Sequence, residues 1–341
     1  MLTGTIDLVG DVNLRRCFNT DETCLDEVAG ELSSADVRLG NLEGAFADEE
    51  ELGYKPGWFH GQPEMARCLV GRFDAVACAN NVHYGEAIIR SLQVLDELGV
   101  AHTGAGADYA RARTPAIVAA GGGTVGMLAY TSVFEPTGHA ATATRPGVAT
   151  IRGLTAYQPN PRVLQMPGAP ALVRTWADPE ELEHASRDVR SLRDRVDLLV
   201  VYLHFGVSMS STVHEYQREI AHALIDAGAN VVAGSHSHTL GGVEFYGAGV
   251  VFYSLGNFVF NTGFHPDSTR DGALAKLEVR GSTVRSCSML PTFRNTSARA
   301  TFVAPSTREG ARIAEMIRVR SEELGTSAEL SDDGLVLTRK G

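Results

Sequence analysis

The chain lacks any apolar run approaching the roughly 20 residues that a membrane-spanning helix needs. Its first residues carry neither a basic n-region nor a small-residue cleavage site, so no secretory leader is expected. Cysteine is scarce: Cys17, Cys24, Cys68, Cys78 and Cys287 make an odd count of five with no C-x-x-C spacing. That argues against a disulfide framework or a zinc–thiolate site and predicts a reducing, cytoplasmic setting. Positive charge is also in deficit. A net charge of -11 disfavours nucleic acid and anionic membranes as partners, because both would repel the average surface. A peptide or small molecule is the expected partner, and the sequence leaves oligomeric state open. Internal repeats and low-complexity tracts are absent as well.

What is present is an ordinary enzyme-like composition, 44% hydrophobic and 21% charged over 341 residues, enough for a substantial core. Strand patterns fall at residues 5–9, 36–39, 75–79, 100–103, 116–119 and 125–131. Helical spacing marks residues 22–32, 62–71, 86–99, 178–196, 213–227 and 306–324. Residues 197–203 are almost continuously apolar, as in a central strand buried on both faces. Further strands are expected at 230–233, 250–253, 273–279, 287–290 and 301–303. Residues 132–177, rich in Pro, Gly, Ala and Thr, read as an irregular insertion that lines or covers a site. The expected organisation is one domain over 1–341, with paired sheets and helices outside.

Polar residues gather just after the strand ends: Asp11, Glu43, Asn80 with Asn81, His204, and His236 with His238. Open α/β sheets place their ligands there. Singly, each has a plain explanation as a turn, a cap or a hydrogen-bonded histidine. Together they mix hard oxygen donors with imidazoles, which suits Mn²⁺, Fe²⁺ or Zn²⁺ better than Ca²⁺ alone, with Ca²⁺ and Mg²⁺ left as alternatives. The spacing of two in His236-Ser237-His238 lets each ring turn toward a different metal.

In order and context these motifs resemble the CapA-like proteins of poly-γ-glutamate capsule synthesis, a branch of the calcineurin-like metallophosphoesterase superfamily. The resemblance is carried by Gly10-Asp11, Gly40-Asn41-Leu42-Glu43-Gly44, Ala79-Asn80-Asn81, Leu203-His204-Phe205-Gly206, Gly234-Ser235-His236-Ser237-His238 and Tyr253-Ser254-Leu255-Gly256-Asn257-Phe258. It implies a four-layer α/β/β/α sandwich with a dinuclear metal site between the sheet edges. Asp11 and His238 would hold one divalent ion, Asn81, His204 and His236 the other, with Glu43 bridging and Asn13 a weak further ligand. Arg16 and Asn257 would contact the substrate, or Asn257 would orient a ligand.

The sequence departs from the family pattern at two places. Val82 stands where Asn-Asn-His has its proton donor, with His83 one step along, and His60 replaces an expected arginine. His83 and His60, with Asp11, are therefore the catalytic candidates. Three functions remain open: epimerisation at the Cα of a peptide's C-terminal residue, as in the enzymes of this branch that tailor lasso peptides; hydrolysis of a phosphoester or γ-glutamyl amide; and non-catalytic assembly of capsule polymer. The missing Asn-Asn-His donor and the extra histidines favour the first.

Overall fold

The structure, a computed structural model, describes residues 1–14, 23–48, 61–85, 87–260, 267–295 and 299–340. Strand β1 (Thr3–Asn13) is followed by helix α1 (Ala29–Leu32), β2 (Val37–Leu42), β3 (Ala75–Ala77), α2 (Ala87–Leu98) and β4 (Ala101–Thr103). Next come β5 (Ala105–Gly106), α3 (Tyr109–Ala112), β6 (Ala116–Ala120), β7 (Gly123–Thr131), β8 (Gly147–Val148), β9 (Gly153–Gln158) and β10 (Leu172–Ala177). Helix α4 (Pro179–Arg193), β11 (Leu198–Phe205), α5 (Glu215–Ala227) and β12 (Val231–His236) then alternate. The remainder is mostly β: β13 (Val243–Tyr246), β14 (Gly249–Phe252), β15 (Asn257–Phe260), β16 (Asp271–Arg280), β17 (Thr283–Arg294) and β18 (Ala300–Phe302). Helix α6 (Arg308–Glu322) precedes a final hairpin of β19 (Thr326–Leu330) and β20 (Leu335–Arg339).

These strands form two main sheets. The larger runs β19-β20-β17-β16-β1-β2-β3-β4, with β15 added beside β1 and β18 beside β17. The smaller runs β13-β14-β12-β11-β7-β6. Strict alternation on β11 shows how they stack. Leu198, Val200 and Tyr202 join Leu8, Leu39 and Ala275 of the large sheet in one core. Leu199, Val201, Leu203 and Phe205 instead meet α4 and α5 residues such as Val189, Ile220 and Leu224. A third core packs Val9, Leu42 and Val76 against Ile88, Leu92 and Leu95 of α2. The layers are therefore helix, sheet, sheet, helix, the expected α/β sandwich.

Three local expectations change, the first being that the helical spacing at 62–71 yields a 3₁₀ helix, Pro63–Leu69. Residues 132–177 are only partly irregular, because β9 and β10 pair in antiparallel register from Gly153↔Ala177 to Gln158↔Leu172. Ladder hydrogen bonds satisfy the backbone where sequence periodicity was weak. The helical spacing at 22–32 yields, within the described part, a 3₁₀ turn at Asp26–Val28 and the four residues of α1. Val28 and Gly30 are poor helix formers, and tertiary packing sets the path there.

Candidate metal centre

Backbone irregularity at the end of β1 turns its carboxylate inward. Leu8 pairs with Leu39 but Asp11 with Asn41, so β1 carries an extra residue between them. This bulge puts Asp11 on the same inter-sheet face as Leu8, while Val9 and Val12 point to the outer core. Gly10 is required at the bend, since any Cβ there would collide with the Gly256 carbonyl oxygen. Asn41 donates from Nδ2 to Asp11 Oδ1 at 2.7 Å, and the His236 backbone N–H donates to Oδ2 at 3.1 Å.

The small sheet supplies the imidazoles. Alternation on β11 sends His204 to the same face as Val200 and Tyr202. His236 ends β12, and a left-handed backbone at His236 (φ 88°) and His238 (φ 52°) redirects both side chains. Met209, at φ 65°, is the third such residue, and its N–H donates to Ser237 O at 2.8 Å. Among the described residues, all non-glycine positions with positive φ gather at this one loop pair. Such strain persists where surrounding structure over-determines it, commonly at functional sites.

Glu43 is shared by two buried clusters, each with its ligand atoms within 4.8 Å of one another: Glu43, His204 and His236, and Asp11, Glu43 and His238. His204 Nε2 lies 2.8 Å from Asn81 Oδ1, 3.1 Å from His236 Nδ1 and 3.8 Å from Glu43 Oε1. His204 Nδ1 lies 3.1 Å from Ser235 Oγ and 3.2 Å from Asn41 Nδ2, so both side chains hold the ring with Nε2 toward those groups. His238 sits 3.7 Å from Asp11 Oδ2 through Nδ1 and 3.9 Å from Glu43 Oε1 through Nε2. Its Nδ1–H donates to Asn257 Oδ1 at 3.0 Å, while Asn257 Nδ2 donates to Thr269 O at 3.0 Å. Asn257 thus fixes the tautomer of His238, as partners of metal-bound histidines commonly do.

The residues fit a divalent cation. Two nitrogens each about 2.0–2.1 Å from one ion, at angles of roughly 90–110°, stand about 2.9–3.4 Å apart. The His204–His236 separation of 3.1 Å falls in that range. Asn13 donates to the Glu43 carbonyl at 2.6 Å, and its buried Oδ1 has no hydrogen-bond partner among the described residues. Burial pushes the Asp11 carboxyl up to about 6, against the pull of Asn41 and the His236 N–H. Burial first, then the neighbouring imidazoles, holds His204 well below the usual histidine range, and burial likewise lowers His238. Two carboxylates beside neutral rings favour a cation between them.

The structure therefore brings together Asp11, Asn13, Glu43, Asn81, His204, His236 and His238, with Asn257 behind His238. Asn257 directs both its side-chain groups at the protein, at His238 and the Thr269 carbonyl, in keeping with the expectation that it orients a ligand. Arg16 and His60 lie outside the described residues. His83 is buried, with Nδ1 3.3 Å from Asn80 Oδ1 and Nε2 3.2 Å from Ser91 Oγ. It anchors the Asn80-Asn81 loop, which Asn80 also ties to Leu42 O at 2.7 Å.

Sequence reasoning missed two nearby side chains. His139, from the 132–177 segment, is buried against Tyr84 with ring centroids 4.8 Å apart, accepts the Glu135 N–H at Nδ1, and acts electrostatically on His204. Arg294, at the end of β17, acts on His238. Neither belongs to a motif, and burial alone singles them out.

The family of the bacterial capsule synthesis protein PGA_cap matches residues 5–262. Capsule biosynthesis protein CapA of Bacillus anthracis is 26% identical over 302 residues, covering 84% of this chain and 66% of that protein. PGA biosynthesis protein CapA of Bacillus subtilis (strain 168) is 38% identical over 92 residues, 27% of this chain and 24% of that protein. The chain thus spans less than two thirds of the length of these relatives. Among solved structures, a hypothetical protein from Thermus thermophilus aligns with TM-score 0.46 and 14% identity over 84% of this chain and 98% of the other. Haemophilus influenzae NAD nucleotidase (NadN) aligns with TM-score 0.46 and 9% identity over 98% of this chain and 58% of the other. With the family match spanning most of its length, and the motif series Asp11 to Asn257 inside it, this chain belongs to the PGA_cap family, the CapA-like branch of the metallophosphoesterase superfamily.

Proposed function

We propose that this protein is a metal-dependent enzyme that holds the C-terminal carboxylate of a peptide-type substrate and exchanges the proton on the adjacent Cα, inverting that carbon. The observation that carries the reading is the pair of buried clusters sharing Glu43. Two divalent cations there would polarise the substrate carboxylate and acidify the neighbouring C–H bond. Asp11, Glu43 and the three histidines would hold the cations, with Ser235 and Asn41 positioning the His204 ring and Asn257 that of His238.

Proton movement needs a further group. Both ring nitrogens of His83 are engaged by Asn80 and Ser91, so we assign that role to His139 and keep His60 as a second candidate. The Glu135 N–H occupies Nδ1 of His139, so the neutral ring carries its proton on Nε2 and can donate it. The names of the relatives, which include a probable polyglutamine synthesis accessory protein, favour a peptide-like polymer as substrate. Hydrolysis is the competing reading.

Peptides with a free C-terminal carboxylate, incubated with the Mn²⁺-loaded protein in D₂O, separate the two. Deuterium gain without cleavage is expected, and a split product overturns the epimerase reading in favour of hydrolysis. His139→Ala should slow exchange by about 10²–10⁴-fold with metal content intact. His83→Ala should act mainly through the Asn81 loop, lowering metal content.

A further inference from the structure

Arg294 is an arginine in an unusual position for a folded protein. It is 7% exposed, and its Nη1 is buried without a hydrogen-bond partner among the described residues. No carboxylate among those residues pairs with it; burial and the like charge of Arg270 together pull its pKa down to about 10. A buried guanidinium normally has a paired acid, because desolvating an uncompensated charge costs several kcal/mol. Its surroundings suggest what is missing. Arg294 ends β17 opposite Ala300, and β17 packs against β15. That strand presents Asn257 and Phe260 to His238, and Arg294 is close enough to act on the same ring. Thr292, two residues earlier on the same strand face, has a buried Oγ1 that also lacks a partner among the described residues.

We infer that Arg294, seconded by Thr292, is an oxyanion receptor that binds a carboxylate or phosphate of the substrate on the His238 side of the metal centre. The inference names the substrate class for the function proposed above and rests on that reading. The planar fork of arginine matches both anions bidentately, and such charge-assisted pairs are strong when water is excluded. A cation cluster walled by one such arginine selects substrates whose charge is negative at the reacting end, despite the acidic average surface of the chain. The fold tolerates the unpaired charge because the ligand completes it.

Calorimetric titration of the purified full chain with inorganic phosphate and, separately, N-acetylglycine tests the assignment, with metal content recorded for every variant. The parent should bind at least one probe, and which one tells phosphate from carboxylate. Arg294→Met should weaken that binding about tenfold or more, and Arg294→Lys should recover only part of it. Without any anion, Arg294→Met should melt at the same temperature as the parent or higher, since it removes an uncompensated buried charge. A lower melting temperature would mean that a structural partner holds the arginine and overturns the inference. Unchanged affinity in Arg294→Met, or a parent that binds neither probe, overturns it equally. A parent that carries no metal yet binds the probe through Arg294 supports the receptor and sinks the metal-centre reading alone.

Discussion

Asp7 lies in β1 directly between Arg38 on β2 and Lys276 on β16, and both pull on its carboxyl electrostatically, yet neither hydrogen-bonds it. Arg38 makes a bidentate pair with Asp74, and Lys276 bonds Glu31. Both Asp7 oxygens are buried without hydrogen-bond partners among the described residues, and burial pushes the carboxyl up to about 7. The folded state therefore holds a proton that the unfolded chain releases near pH 4. Stability from this group is full below that pH and is lost as pH rises through about 7. Asp7→Asn mimics the protonated form. It should stabilise the protein by up to about 4 kcal/mol at pH 8 and have little effect at pH 4, as read by urea unfolding at the two pH values. A variant that is less stable than the parent at pH 8 would show that Asp7 has an ionic partner after all.

At this scale the sequence was informative where chemistry repeats in motifs. Asp11, Glu43, Asn81, His204, His236 and His238 each stand at a strand tip, and that position is visible as a polar residue after an apolar run. Asp7, His139 and Arg294 were not legible. Their meaning comes from what does or does not surround them, and a linear pattern contains no record of a missing counter-charge. His83, a suggestive motif position, is buried with its ring nitrogens at Asn80 and Ser91.

Among the elements, the β9–β10 ribbon and the residues before it divide the labour that composition had assigned to 132–177 as a whole. The ribbon is fastened to α5: Arg174 pairs with Glu215 at 2.8 Å, and the Ala177 N–H donates to Glu219 at 2.8 Å. Its connecting turn is exposed, with Leu164 at 92%. Residues 133–139 carry the segment's buried histidine: Tyr84 Oη donates to Thr137 O at 2.9 Å, and His139 packs on Tyr84 and acts electrostatically on His204. Shortening the turn by deleting residues 162–167 should leave KM and metal content within about twofold, since exposed loop tips tolerate change. Replacing residues 134–138 by a glycine-serine linker of equal length should raise KM or lower kcat by tenfold or more by freeing His139. Equal effects from the two changes would mean the whole segment acts as one wall. Sequence could not make this division, because the ribbon's alternation is blurred by exposure on both faces. Only its pairing partner and its docking on α5 define it.

For the molecule as a whole, the pattern of strands and helices announced a layered α/β fold, but not which strands share a sheet. The large sheet sets β16 antiparallel along the first part of β1 and β15 parallel along its end, both on the flank opposite β2, a crossing of distant segments with no local signature. That topology decides how the centre is built. Asp11 and Glu43 come from the large sheet and the segment just after β2, whereas His204 and His236 come from β11 and β12 of the small one. Any ion held between them ties the two sheets across their shared edge and binds only the assembled fold. At a free metal concentration about 1,000 times Kd, such binding adds about 4 kcal/mol to stability. For a chain of 341 residues, with an unfolding entropy near 2.1 cal/mol/K per residue, that corresponds to a rise in Tm of about 6 °C. Chelation with EDTA should lower Tm by this order, and Mn²⁺ or Zn²⁺ should restore it. His204→Ala should abolish the response, because it removes the nitrogen that faces both Glu43 and His236. Arg294→Met should retain the full metal response even where its anion binding is lost. A Tm indifferent to chelator in a protein shown to carry metal would place the ions somewhere other than between the sheets.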